Sequence, residues 1–259
     1  MLKERFNKIY HYRHTLWDMA ISQLKAKYAG SKLGIWWAVV TPVVLAVSIN
    51  FVFNMVFKIE IQNYALFVLA GIIPWFFSMN ALTEAANSFV INSSLLKQSV
   101  FPREFIPMAS ILANLLNFLI GLVFLLPLFI ILNFRVSRLL PFLFLIIILN
   151  FIFIIGLGVL FSCANVFFRD LIHFMSIGFM VWFWITPVFY SLDMIPFSFR
   201  WICLFNPMTY YIILYQNVLF HAKTPSLANI LGAFLVSLVS IFVGYFIFLK
   251  KESLLLKRI

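Results

Sequence analysis

Long apolar runs alternate with short clusters of charge along the chain, and the spacing of those clusters sets the elements. A bare charge in hydrocarbon is costly, and a helix needs roughly 20 residues at about 1.5 Å each to cross a bilayer. Intervals free of Asp, Glu, Lys and Arg therefore read as spans. Six qualify, at residues 33–57, 61–83, 105–134, 139–168, 171–192 and 224–249. They are continuous runs of Leu, Ile, Phe and Val rather than short alternating strands, so the fold class is all-α, a polytopic membrane protein with six transmembrane helices. A seventh interval, 201–222, has the length, but Asn206-Pro207 breaks it and Gln216, Asn217 and His221 stud its second half. Proline removes a backbone donor and drives the preceding residue out of the helix, which leaves a piece too short to cross. The expectation is a pair of short, partly embedded outer gate helices over 194–222.

Six spans put both termini on one side of the membrane. The loops on that side carry 14 of the 19 basic residues and the opposite loops 5, which predicts cytoplasmic termini. Before the first span, Leu2, Phe6, Ile9, Leu16, Ala20, Leu24 and Tyr28 recur at helical spacing, with His14, Asp18, Ser22 and Lys25 on the other side. This is an amphipathic helix of the inner interface, either a surface anchor or also a contact for a cytoplasmic partner. Gly30 and Gly34 read as turn glycines at the bend into the membrane. The chain divides into an interface helix (1–32), a membrane domain (33–249) and a basic cytoplasmic tail (250–259).

Composition narrows the function. The chain is 64% hydrophobic and holds 19 Lys and Arg against 8 Asp and Glu, too few charges to clothe a soluble globule of 259 residues. Soluble enzymes and nucleic-acid binders are excluded despite the net charge of +11. No carboxylate stands at mid-membrane, where an ion-coupled carrier needs one, and no GxxxxGK[ST] loop binds ATP. An ion-coupled lipid flippase is therefore the weaker alternative, and a separate subunit must supply the energy. Glu84 lies at the inner interface with Asn80, Asn87 and Ser88 on its face, a stripe for helix packing or for a hydrated inner vestibule. Catalytic residues, a metal site and a cofactor are expected to be absent. His11 and His14 have no third ligand, and Cys163 and Cys203 fall at opposite faces. The N-terminus does not read as a cleavable signal peptide.

The cytoplasmic segment 92–107 is richer than a connector requires. Asn92 or Ser93 can cap a short helix with Leu95, Leu96 and Val100 apolar, and Pro102 ends it. Such a helix meets a partner or lies flat on the membrane.

Five strings in order, Lys27-Tyr-Ala-Gly-Ser-Lys-Leu-Gly-Ile-Trp-Trp-Ala-Val-Val-Thr-Pro42, Phe101-Pro-Arg-Glu-Phe-Ile-Pro107, Phe168-Arg-Asp-Leu-Ile-His173, Thr186-Pro-Val-Phe-Tyr190 and Asn206-Pro-Met, resemble the ABC-2 type permeases of bacterial polysaccharide exporters. The likeness is nearest to O-antigen export permeases, with teichoic acid or capsular polysaccharide exporters as the alternative. The resemblance implies an inner-membrane homodimer that carries two separate nucleotide-binding ATPase subunits, with ATP and Mg on those subunits. It also implies undecaprenyl-linked polysaccharide as cargo. It makes 94–104 a coupling helix, with Leu95, Leu96, Lys97, Val100, Phe101, Arg103 and Glu104 facing the ATPase. It makes 194–222 the outer gate, with Asn206, Pro207, Tyr210 and Tyr211. Gln216 stands where the pattern expects an arginine, which leaves its role open.

Aromatic residues make up 19% of the chain. Most serve interface belts and packing, but rings also take the flat C–H faces of sugars without deep traps. The expected channel liners are Trp36, Trp37, Asn50, Phe51 and Asn54 of the first span and Trp182, Phe183, Phe189 and Tyr190 around the end of the fifth.

Overall fold

The computed structural model describes residues 10–58, 61–94 and 101–258, and no strand occurs among them. An interface helix, α1 (Arg13–Tyr28), leads through a bend to α2 (Trp37–Asn50), which continues as a π-helical turn, Phe51–Val56. Then come α3 (Tyr64–Ile91), α4 (Phe105–Leu132), α5 (Leu140–Phe167) and the shorter α6 (Leu171–Ile185). Two short helices, α7 (Arg200–Phe205) and α8 (Pro207–Leu219), precede the long C-terminal α9 (Leu227–Arg258). Gly30 and Gly34 both take positive φ at the bend, the conformation a turn glycine provides.

Among the described residues five helices are long and apolar enough to cross a membrane, the first running Gly34–Asn54, and α6 with 15 residues is shorter than that. At 1.5 Å per residue α6 reaches about 22 Å, short of the roughly 30 Å of hydrocarbon. The predicted run to 192 stops early because Pro187 holds Thr186 in an extended conformation. The second span corrects the charge rule in the opposite direction. Helix α3 runs past Glu84 for two further turns, because that carboxylate finds partners.

Helix α3 is the core element. Across residues 64–90 only Asn80 is exposed, and α2, α4, α5, α6 and α8 all pack against it. A second seam joins α5 to α9. A Cβ on Gly244 would lie 2.0 Å from the Gly156 carbonyl oxygen, so the two backbones touch there. Beside that contact Ser237 and Ser240 donate to the Leu149 and Phe153 carbonyls at 2.8 and 2.7 Å. Small residues let membrane helices approach closely, and serine hydroxyls then reach across. The face of α1 expected on the lipid surface, with Leu16, Ala20 and Leu24, is turned against α4, while His14, Asp18, Ser22 and Lys25 stay exposed.

Candidate functional site: a broken span, its plug and two exposed helices

Beyond Ile185 the chain continues without helix, and irregular backbone at membrane depth persists only where partners meet its polar groups. Side chains supply them here. Gln216 Nε2 donates to the Pro187 and Val188 carbonyls at 3.0 and 3.2 Å. The Tyr64 hydroxyl donates to the Phe189 carbonyl, which places this segment beside the start of α3. The Tyr190 hydroxyl turns back to the Trp184 and Ile185 carbonyls at 3.2 and 2.9 Å. Non-helical residues 186–190 thus carry the chain over the distance that α6 leaves.

The chain then dips back. Asn206 caps α8, its Oδ1 accepting from Met208 N at 3.0 Å, with Pro207 in the first turn where its missing donor costs nothing. The same oxygen accepts from Trp182 Nε1 at 2.7 Å, and Asn206 Nδ2 donates to Thr186 Oγ1 at 2.8 Å. The tip of the hairpin is therefore tied to the end of α6. Tyr211 stacks on Phe153, half way along α5, and its hydroxyl reaches the Ala233 carbonyl and Ser237. Tyr210 is half-buried, its hydroxyl on the Leu204 carbonyl and its ring against Gly232. Of the two short helices expected over 194–222, α7 is largely exposed, with Phe205 82% accessible, while α8 is sunk into the bundle.

The expected channel liners separate into two groups. Phe183 and Phe189 join Phe53, Trp184 and Tyr190 in one aromatic cluster, and Phe189 is buried. Trp182 is held at the hairpin tip and half-buried. Within one chain Trp182, Phe183 and Tyr190 are half-buried and Phe189 buried, while Trp184 stays exposed. Trp36, Trp37, Phe51 and Asn54 are exposed and Asn50 half-exposed, the two asparagines bonded to each other at 3.4 Å along the π-helical turn. Such π segments are frequent at functional sites. Sequence reasoning missed the exposed face of α6, where Phe174, Ile177, Met180, Val181 and Trp184 lie uncovered. Their three- and four-residue spacing was the signal.

In the expected coupling segment, Leu95, Leu96, Lys97 and Val100 lie outside the described residues. Phe101 stacks on Phe105. Arg103 pairs with Glu252 at 3.4 Å, and Glu104 is fully buried, accepting from the Tyr245 hydroxyl at 3.1 Å. The end of the expected coupling segment is thus fastened to α9, and Glu104 faces inward rather than toward a cytoplasmic partner.

A cavity of about 500 Å³ opens between α1, α2, α3 and α4. Lys27 Nζ meets Glu84 Oε1 and Asn114 Oδ1, both at 2.8 Å, and Asn114 Nδ2 donates to Glu84 Oε2 at 2.6 Å. The Tyr28 hydroxyl donates to Asn117. Burial and the nearby Glu84 carboxylate push the Tyr28 phenol up, so it stays a neutral donor. The stripe of Glu84 and Asn80 belongs to this chamber.

The sequence profile of the ABC-2 type transporter family matches residues 15–220. An O-antigen export system permease protein RfbA of Klebsiella pneumoniae is 32% identical over 251 residues, covering 93% of this chain and 94% of the relative. A second Klebsiella pneumoniae protein of that name is 35% identical over 201 residues, covering 75% and 76%. One from Myxococcus xanthus is 28% identical over 255 residues, covering 95% of each. The chain belongs to the ABC-2 type transporter family.

Proposed function

We propose that this member of the ABC-2 type transporter family is the membrane subunit of an ATP-driven exporter that moves lipid-linked O-antigen polysaccharide out of the cytoplasm. It works as a homodimer with two separate ATPase subunits, which bind ATP and Mg. The observation that carries the reading is the likeness to O-antigen export permeases along almost the whole chain.

The geometry supports it in physical terms. Helices α2 and α6 each leave an uncovered apolar and aromatic face, and two copies meeting by those faces would enclose a path of rings and the Asn50–Asn54 pair. Shallow ring contacts let a long glycan slide through many registers, where a fixed hydrogen-bonded pocket would stall it. The plug α8 and its tie at Asn206 close the outer end. Residues 94–104 receive the push of ATP-driven closure, and Arg103 and Glu104 pass it to α9. Both termini face the cytoplasm.

Cells lacking this chain should retain lipid-linked polysaccharide at the cytoplasmic face, and so should cells whose partner ATPase cannot hydrolyse ATP. Export persisting on a proton gradient without ATP hydrolysis would sink the reading.

A further inference from the structure

Between residues 64 and 90 of α3, Asn80 is the one exposed residue. It lies eleven residues from the inner end of α3, about 16 Å along the axis, and makes no side-chain hydrogen bond to any described residue. It faces the cavity beside Lys27 and Tyr28. The Asn117 amide NH2 and the Thr41 hydroxyl line the same space without a partner among the described residues. Stranding such groups in hydrocarbon is costly, so whatever fills the chamber must hydrogen-bond.

Charge narrows the occupant. Among the described residues Lys27 is the only charged one that lines the chamber, and Glu84 neutralises it at 2.8 Å, which leaves no surplus cation among them for a phosphate or a carboxylate. A purely apolar tail would bury the Asn80 and Asn117 amides unpaired. What satisfies two amides, a hydroxyl and the exposed flat face of Trp37 is a neutral ring that carries several hydroxyl groups and a C–H face. The volume is that of a small-ligand pocket.

We propose that this chamber is a sugar-binding subsite, taking a neutral sugar residue of the membrane-anchored cargo in the inner leaflet, on the outside of α2 and apart from the surface α2 would share with a second copy. The inference rests on the export reading and adds a holding site before translocation. Cargo that pauses there has its sugar hydrogen-bonded while its lipid stays in the leaflet.

The test uses the assembled transporter in exporting cells. The photo-crosslinker p-benzoylphenylalanine replaces Asn80, Phe51 on the proposed path or Val239 on the exposed face of α9, and adducts are probed with an antibody to the glycan. Adducts are expected at Asn80 and Phe51 and not at Val239. Asn80→Leu should slow export about tenfold at limiting cargo, the factor one neutral hydrogen bond is worth, and Asn80→Gln should restore it. Assembly should be unchanged, since Asn80 bonds no described part of the protein. Adducts at Phe51 but none at Asn80, or normal export by Asn80→Leu, would mean a merely hydrated chamber: the subsite falls and the export reading stands. Adducts at neither position, with export intact in cells lacking the chain, would overturn both.

Discussion

Two helix pairs in this protein solve the problem of lipid in opposite ways. Helices α5 and α9 meet backbone to backbone at Gly156 and Gly244, and serine hydroxyls bridge the seam. Helices α2 and α6, with the π-helical turn after α2, leave Val44, Val47, Phe51, Phe174, Met180 and Trp184 exposed over about half or more of their surface. Within a bilayer, burying a large apolar side chain against a neighbour gains little over leaving it in lipid, so close approach and hydrogen bonds decide which helices stay together. The first pair is therefore scaffold. The second is free to exchange lipid for a second copy or for cargo.

Breaking the seam should have the largest effect. Gly244→Leu drives a side chain into the Gly156 carbonyl, and overpacking of that kind costs about 1–3 kcal/mol or more. Loss of the folded chain from detergent extracts, read by size-exclusion chromatography, is expected. Next is the broken span. Gln216→Leu strands the Pro187 and Val188 carbonyls at membrane depth, about 1–3 kcal/mol for each unsatisfied group. The apparent melting temperature should drop by several degrees and export should fall; an unchanged melting curve would remove the clip from the account.

The exposed pair should respond differently. Alanine at Val44, Val47 or Phe51 should change the stability of the isolated chain by less than about 0.5 kcal/mol while weakening export. Cysteine at one or more of these positions should cross-link two copies with a short bifunctional maleimide. Absence of cross-links at all three would mean the copies meet elsewhere. In the assembled transporter, cysteine at Asn54 should react with water-soluble thiol reagents during ATP turnover, and cysteine at Val239 should not. The smallest effect belongs to Arg103→Ala. Its pair with Glu252 is partly exposed and worth about 0–1 kcal/mol, so stability should barely move, and a change in export without a change in melting would mark Arg103 as a coupling element.

Sequence reading succeeded where one rule acted alone. Charge-free length placed the spans from residues 105 and 139, and proline chemistry placed the Asn206-Pro207 break. It erred where a distant partner changed the local cost. Glu84 looked like a boundary because its partners, Lys27 and Asn114, are 57 and 30 residues away. The fifth span looked long enough because the effect of Pro187 was not weighed. The pairing of Trp182 with Asn206 and the burial of Phe189, both expected at a channel, were likewise not legible in the sequence.

The sequence by itself determined the solvent of this protein, its helical class, its family and the places where helices must start and stop, because hydrocarbon penalises every charge and unpaired donor locally. Tertiary structure alone decided how the irregular residues 186–190 are satisfied, which helices α8 packs between, and that Asn80 opens into a chamber. Each of these depends on side chains far apart in the chain meeting in low dielectric, where one hydrogen bond from Gln216, or its absence at Asn80, sets the cost.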